Sequence, residues 1–157
     1  MMLLQQSLFD LEPLLLARLT AQFAKPQTGS QAVVKVLTAA DLEGVNENMQ
    51  FTPAVHLVSL GYNVAQNTND GTEARITQEW LAVVATRSQS GLRAGDAARA
   101  EAGVIAAQVC AALMGYKPSL ASKPMRLANA PGAKYSAGFQ YLPLAFEIEL
   151  TLQPIKE

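Results

Sequence analysis

The stretch from Asp96 to Pro118 constrains the fold most, because it is a long apolar segment with the signals of a helix at both ends. Asp96 is typical of a helix N-cap, since its carboxylate can accept hydrogen bonds from the unpaired amides of the first turn. Gly115 tolerates the left-handed conformation that ends many helices, and Pro118 cannot continue one. No charged residue occurs between Glu101 and Lys117. A surface helix normally keeps one polar face, so this pattern predicts a helix that is covered on more than one side.

Two apolar stripes follow the helical period along this segment. The first contains Ala98, Ala102, Ile105, Val109, Ala112, Leu113 and Tyr116. The second contains Ala97, Ala100, Val104, Ala107, Ala111 and Met114. We expect the helix to pack on a sheet. The second stripe would then be covered by the N-terminal helix, which is the simpler alternative, or by a neighbouring subunit.

The composition predicts a compact domain with more apolar surface than one small core hides easily. The chain of 157 residues is most simply one domain, residues 1–157, and a domain of that size buries about 70% of its unfolded surface. Half of the residues are hydrophobic and 16% are charged, below the usual ~25%, so we expect extensive burial and an oligomer. The net charge of −1 argues against a general nucleic-acid binder.

Neither a secretion signal nor a membrane span is expected. The N-terminal residues MMLLQQSLF lack the basic region and the cleavage site of a secretion signal. The longest charge-free apolar run, Ala102–Tyr116, is shorter than the ~20 residues that cross a bilayer. We therefore expect a soluble protein that is made inside the cell and has no membrane partner.

The first half of the chain predicts one more helix and three strands. Leucines at helical spacing indicate a helix over Leu8–Phe23, capped by Asp10. Ala32–Leu37 has the composition of a short strand. Branched and aromatic residues predict strands over Pro53–Ala65 and Glu73–Arg87, which the turn-forming QNTNDG joins as an antiparallel hairpin.

The last third of the chain predicts a loop and a final strand. Ser119–Gly138 holds two prolines, two glycines and three basic residues, and its composition indicates a long loop that is a candidate contact surface. Phe139–Gln153 alternates as a strand does, and Pro143 suggests an edge or a bulge at its start. Trp80, the only tryptophan, is expected to anchor the core. The order α-β-β-β-α-β predicts an α+β fold with a mostly antiparallel four-stranded sheet and two main helices packed on it.

No catalytic, cofactor or metal site is predicted. His56, the only histidine, lies in a predicted strand and Cys110, the only cysteine, in the apolar helix, and nothing in the sequence brings them together. A structural zinc site needs several such ligands. Glu147 and Glu149 share one face of the last strand, where a solvated outer face is a simpler interpretation than an acid–base pair. A small ligand-binding module or enzyme around His56 and Cys110 is the alternative of a different class.

Charge is distributed unevenly along the chain. Between Arg87 and Lys134 seven basic residues stand against two acidic ones, a balance of 7 − 2 = +5, and the remainder has five basic and eleven acidic residues, a balance of −6. One interpretation is chance clustering. The other is that a basic face complements an acidic one, so that copies meet head to tail and build rings or filaments. Ser88–Gly95 is a further candidate contact surface, and the candidate interface residues are Arg87, Arg93, Arg99, Lys117, Lys123, Arg126 and Lys134.

The arrangement of these features resembles the tail terminator (tail-completion) proteins of long-tailed bacteriophages and prophages. The resemblance includes the amphipathic helix that ends near Phe23, PAVHLVSLGYNV from Pro53 and TQEWLAVVATR from Thr77. It continues with LMGYKP at Leu113–Pro118 and with YSAGFQYLPLAFEIEL from Tyr135. Its most telling parts are a leucine, a glycine and an aromatic residue before the proline of LMGYKP, followed by an aromatic–glycine–aromatic strand.

The resemblance implies a structural virion protein without catalytic residues or cofactors. Proteins of this family are similar in forming a ring, typically of six subunits, on the last ring of the tail tube. The ring stops tube polymerisation and offers a surface for the head. The implied partners are other copies of the chain, the tail tube protein, a head-completion or connector protein and, in some phages, the sheath, with DNA only as passing cargo. The implied location is the virion tail, and the host cytoplasm during assembly. Another head–tail joint protein, such as a head-completion or tube protein, is the alternative.

Overall fold

The computed structural model describes residues 7–24, 33–39, 52–87, 94–136 and 138–154. Within these ranges the chain forms two helices and six strands. The helices are α1, Leu11–Gln22, and α2, Ala94–Leu113. The strands are β1, Lys35–Ala39; β2, Ala54–Asn67; β3, Ala74–Arg87; β4, Arg126–Ala128; β5, Lys134–Ser136; and β6, Phe139–Leu152. The predicted α+β class is confirmed.

All six strands belong to one mixed, mostly antiparallel sheet. Its order is β1-β2-β3-β6-β4, and β5 also pairs with β6. The predicted β2–β3 hairpin is confirmed, and β6 pairs with β3 along its whole length. The prediction of four strands is wrong, because Ser119–Gly138 contains β4 and β5 instead of forming one long loop. Each of these strands has three residues, too few to show an alternating pattern in the sequence.

β1 is the one described strand that runs parallel to its neighbour. It pairs with β2 from Lys35 opposite Ala54 to Ala39 opposite Val58. The strand lies slightly later in the chain than the predicted Ala32–Leu37. A parallel pair needs a connection of about a dozen residues or more, and positions 40–53 supply that length.

At Pro143 β6 has a described strand on one side only, so the predicted edge holds locally, although β6 as a whole is an interior strand and has no bulge there. β5 pairs with the first three residues of β6 and β4 with Ala145–Glu147. Residues 142–144 therefore lie opposite the gap between these two short strands. Proline lacks the N–H of a ladder hydrogen bond, and it stands where one of the two flanking ladders is interrupted.

The main core lies between the sheet and the two helices. Trp80 is fully buried there, as predicted, in one apolar cluster with the buried residues of α1 and α2. Its indole Nε1 donates a hydrogen bond to Gln78 Oε1 at 3.2 Å, and Gln78 Nε2 donates to the Leu8 carbonyl at 2.6 Å. These bonds tie the start of α1 to β3. A smaller cluster on the opposite face of the sheet contains Val58, Leu81, Val83, Ala85, Phe139, Tyr141 and Ala145.

The helix ends differ from the predicted caps. The side chain of Asp10 makes no cap hydrogen bond with α1, and its Oδ2 accepts one from the Ser7 amide at 3.0 Å. α2 begins at Ala94, so Asp96 lies within its first turn. The predicted stop is confirmed, because α2 ends at Leu113 and Gly115 has a φ of +76°.

Candidate assembly surfaces

At the distal end of the β2–β3 hairpin, β2 is exposed although β3 beside it is buried as far as Ile76. Each strand of the hairpin has 14 residues, which at 3.3 Å per residue span about 46 Å. The longer helix, α2, has 20 residues and spans about 30 Å. β2 is buried from Ala54 to Val58, and exposure begins after Ser59 and continues to Asn67. We call Ala54–Val58 the root half of β2 and Ser59–Asn67 its distal half.

The distal half of β2 is an open sheet edge. β1 pairs only with the root half, so among the described residues the distal half has a strand on one side alone. Three apolar side chains on it are about half exposed, Leu60, Tyr62 and Val64. β2 contains no Asp, Glu, Lys, Arg or internal Pro, whereas each of the other five described strands carries a charged residue. Charges and prolines usually keep an edge strand from pairing with other chains, and this edge has none.

A bulge reverses the direction of the side chains between the two halves. In the root half, Val58 pairs with Leu81 and faces away from the helices. The register shifts between Ser59 and Gly61, where Gly61 has a φ of +97° that favours glycine. Beyond this shift Val64 pairs with Ile76, a residue of the helix-side core. The extra residue therefore turns Tyr62 and Val64 towards the face that carries the helices, as bulges commonly do.

The turn that closes the hairpin is held by hydrogen bonds and is acidic. Asp70 Oδ1 accepts hydrogen bonds from the Thr68 hydroxyl at 2.8 Å, the Thr72 hydroxyl at 2.7 Å and the Thr72 amide at 3.1 Å. These bonds from Thr72 and Thr68 lower the pKa of Asp70 to about 2, so this carboxylate is charged at neutral pH. Glu73 lies beside it, and its Oε2 accepts a hydrogen bond from Gln153 at 3.3 Å.

α2 carries a second exposed apolar surface. α1 packs along one side of α2, where Gln22 Nε2 donates to Gln108 Oε1 at 2.6 Å and Arg18 Nε donates to the Ala112 carbonyl at 2.5 Å. The outer side of α2 is exposed, and we call its residues the α2 stripe: Ala100, Gly103, Val104, Ala107, Ala111 and Met114. The expectation that the N-terminal helix covers this side is wrong, because α1 lies beside the stripe and not over it.

Three of the predicted basic residues lie at the root end of the sheet. Arg87 ends β3, and its guanidinium carbon lies 4.9 Å from the centre of the Phe139 ring. Lys134 begins β5 and forms no ion pair within the described residues. Arg99 lies on α2, next to the carbonyl that accepts a hydrogen bond from the Thr86 hydroxyl at 2.7 Å. All three basic side chains are exposed.

Two others lie about six residues further along β6, roughly 20 Å away, and are paired with acids. Arg126 forms an ion pair with Glu147, directly opposite it in the sheet. Lys123 Nζ lies 3.4 Å from Glu149 Oε2, and Arg75 lies 4.0 Å from the other oxygen of the same carboxylate. Glu147 and Glu149 do share one face, away from the helices, and there they neutralise basic residues.

The six predicted basic residues that the structure describes therefore do not form one patch. The root-end group, Arg87, Arg99 and Lys134, stands apart from the acid-paired group. Lys117 is exposed just after α2. Arg93 and most of Ser88–Gly95 lie outside the described residues.

His56 and Cys110 lie on opposite sides of the sheet. His56 pairs with Val83, which belongs to the cluster away from the helices, whereas Cys110 packs against the helix-side core. His56 is fully buried, neither ring nitrogen has a hydrogen-bond partner among the described residues, and burial lowers its pKa. Burial also raises the pKa of the Cys110 thiol, which disfavours the reactive thiolate. The geometry gives no support to a catalytic pair.

Metal binding and membrane insertion find no support in the described residues either. Across those ranges, no three His, Cys, Asp or Glu side chains are placed to hold a metal ion. No described helix is long and apolar enough to cross a membrane.

The distal half of β2 is the surface that the sequence reasoning missed. The sequence predicts the strand itself but not that its second half is exposed. A usable signal was present, because the run from Ala54 to Asn67 carries no Asp, Glu, Lys or Arg, unlike the other two long strands. The bulge that turns Tyr62 and Val64 has no comparable signal beyond Gly61.

Comparison with known proteins identifies the kind of surface to expect. A family model described as phage tail terminator protein matches residues 5–156, nearly the whole chain. A search of curated proteins gave no match. The resemblance predicted from the sequence is confirmed. The chain is a structural protein of the phage tail, and its family consists of virion components and not of enzymes. The chain belongs to the phage tail terminator family.

Proposed function

We propose that this protein forms a ring, typically of six subunits, that caps the end of the tail tube. The ring stops tube polymerisation and provides the surface to which the head joins. Its partners are other copies of the chain, the tail tube protein, a head-completion or connector protein and, in a contractile tail, the sheath. DNA passes through the ring as cargo. The subunit has no enzymatic role, and it assembles in the host cytoplasm.

The observation that carries this proposal is the apolar surface that the fold leaves uncovered in a member of the terminator family. A ring subunit contacts two neighbours through different surfaces, and a cap also contacts the tube. The distal half of β2 and the α2 stripe are separate apolar surfaces, each with side chains about half exposed, such as Val64 and Val104. Apolar surfaces of this kind mark interaction sites when they are contiguous.

Tube growth in the presence of the purified protein tests the proposal. Tail tube protein is allowed to polymerise with and without the chain, and negative-stain images give tube lengths and the appearance of tube ends. We expect shorter tubes with an added ring at one end. Unchanged tube lengths together with bare ends would contradict the proposal. In intact particles, a label on the chain at the head–tail junction would separate this role from that of a tube protein, which would be labelled along the tail.

A further inference from the structure

We propose that the distal half of β2 pairs, edge to edge, with β5 of a neighbouring copy. The inference rests on the proposed function, because it names the contact between adjacent subunits of the ring. In this contact one edge of the sheet in one copy meets the other edge of the sheet in the next copy. Such a heterologous contact closes into a ring when the rotation between copies permits.

The distal half of β2, which we call the donating edge, can accept a further strand. The backbone of β2 from Ser59 to Asn67 is paired with β3 alone among the described residues. It bears no charge or proline that would oppose a further strand. Tyr62 and Val64 expose 52% and 55% of their surface on one side of it. Main-chain hydrogen bonds with apolar side chains on alternate residues are how an added strand is commonly recognised.

The accepting edge is β5, at the other side of the same sheet. β5 pairs only with β6 among the described strands, and its central residue Tyr135 is 51% exposed. Because β2 and β6 run in the same direction and β5 is antiparallel to β6, β5 is antiparallel to β2. Two copies side by side in one orientation would therefore continue the sheet with an antiparallel pair, the more stable arrangement.

Charge complementarity selects β5 rather than β4, and a second copy rather than another partner. Pairing the distal half of β2 with β5 staggers the two copies along the strands, as in closed sheets. Because β5 is antiparallel to β2, Lys134 would lie on the side of Tyr135 that is nearer to the acidic turn with Asp70 and Glu73 of the other copy. Lys134 forms no ion pair within the described residues, whereas the basic residue of β4, Arg126, is already paired with Glu147. Within one copy Lys134 and the acidic turn stand at opposite ends of the sheet, so they complement each other only across two copies.

Lysine substitutions on the two edges test the contact. Val64→Lys and Tyr135→Lys place a charge on the donating and the accepting edge, and Leu127→Lys is the control on β4, at 48% exposure. Mass photometry measures self-association, and negative-stain images show rings on tube ends. We expect Val64→Lys and Tyr135→Lys each to weaken self-association by roughly tenfold or more, and Leu127→Lys to leave it unchanged. Circular dichroism confirms folding, and Tyr62→Lys serves as a second variant of the donating edge.

Mixing the two defective variants gives a sharper result. Val64→Lys retains an intact β5 edge and Tyr135→Lys an intact β2 edge, so the mixture can form one native contact. We expect dimers and no larger species. The charge contact is tested by Glu73→Lys and Lys134→Glu, each of which should weaken association while the double variant restores it.

The outcomes separate this inference from the proposed function. If the unaltered protein forms rings and both edge variants assemble as it does, the edge contact is overturned while the ring stands. A loss of assembly in Leu127→Lys but not in Tyr135→Lys would also overturn it. If the unaltered protein forms no ring, alone or on tubes, the proposed function fails and the contact with it.

Discussion

The two halves of β2 both lack Asp, Glu, Lys and Arg, but they have opposite surroundings. The root half, Ala54–Val58, is flanked by β1 and β3 and is buried on both faces of the sheet. The distal half, Ser59–Asn67, has β3 on one side and solvent on the other among the described residues. Leu57 and Leu60 show the contrast, at 1% and 47% exposure.

This difference teaches that burial does not explain the apolar residues of the distal half. The root half is apolar because it lies in the core, where burial of each large side chain stabilises the fold by about 1.5–3 kcal/mol. The distal half gains little from the same residue types within one subunit. Its uncharged edge is instead suited to a contact between molecules, and variants of the two halves should therefore act on different properties.

The largest effect is expected from shortening the same side chain in each half. Leu57→Ala should lower the free energy of unfolding by about 3 kcal/mol, because it leaves a cavity in the helix-side core. Leu60→Ala, three positions later, should cost less than about 1 kcal/mol in the isolated subunit. Urea unfolding followed by circular dichroism measures both. Equal losses would contradict the distinction between the halves.

A smaller loss of stability is expected from changing a residue of β3 that is buried beside the exposed distal half of β2. Gln78 lies opposite Tyr62 and links Trp80 to the start of α1. Gln78→Ala should cost about 1–3 kcal/mol of unfolding free energy, because buried polar groups lose their partners. Asn63→Ala removes an exposed amide from the distal half and should cost less than about 0.5 kcal/mol. Similar values for the two variants would argue that the distal half is covered after all.

The root half should also respond to pH through His56. Burial lowers its pKa in the folded protein, whereas an unfolded chain has a histidine pKa of about 6.5. Between these two values the unfolded chain binds more protons, so stability is fully present above pH ~6.5 and falls as the pH decreases, by at most about 1.4 kcal/mol per unit. His56→Leu should remove this slope in unfolding measured from pH 7.5 to 5. An unchanged slope in the variant would assign the dependence to other groups.

The smallest effect is expected at the bulge between the halves. Gly61 has a φ of +97°, and an added Cβ there would meet no atom within 4 Å. Gly61→Ala should therefore cost about 1 kcal/mol through the backbone alone. Gly103→Ala is the matched control, because Gly103 lies in α2 with equally open space, and alanine should stabilise a helix by up to about 1 kcal/mol. Thermal melting shows whether each substitution raises or lowers stability. A stabilising Gly61→Ala would contradict a bulge that requires glycine.

Much of the fold was predictable because long elements carry strong periodic patterns. Both helices, the β2–β3 hairpin, β6 and the burial of Trp80 follow from spacing and turn residues. β4 and β5 could not be predicted, since three-residue strands depend on pairing with β6 and not on their own sequence. The parallel direction of β1 was also missed, because it is set by the path of the connection between strands.

The candidate surfaces were predictable only in part. The apolar outer side of α2 and the uneven charge were visible in the sequence. Their placement was not, since ion pairs such as Lys123 with Glu149 join positions that are far apart in the chain. The sequence also cannot show that Val64 and Val58 face opposite sides, because one bulged residue changes the alternation.

Hydrogen–deuterium exchange of β2 tests the central claim most directly, because it compares the two halves in one experiment. The amides of Ala54–Val58 and Ser59–Asn67 are followed in the dissociated subunit and in rings bound to tube ends. We predict slow exchange of the root half in both states. The outward amides of the distal half should exchange fast in the subunit and at least about tenfold more slowly in the ring, since they gain hydrogen bonds from a neighbouring strand. Distal amides that exchange equally fast in both states would contradict the claim that this edge is held open for assembly.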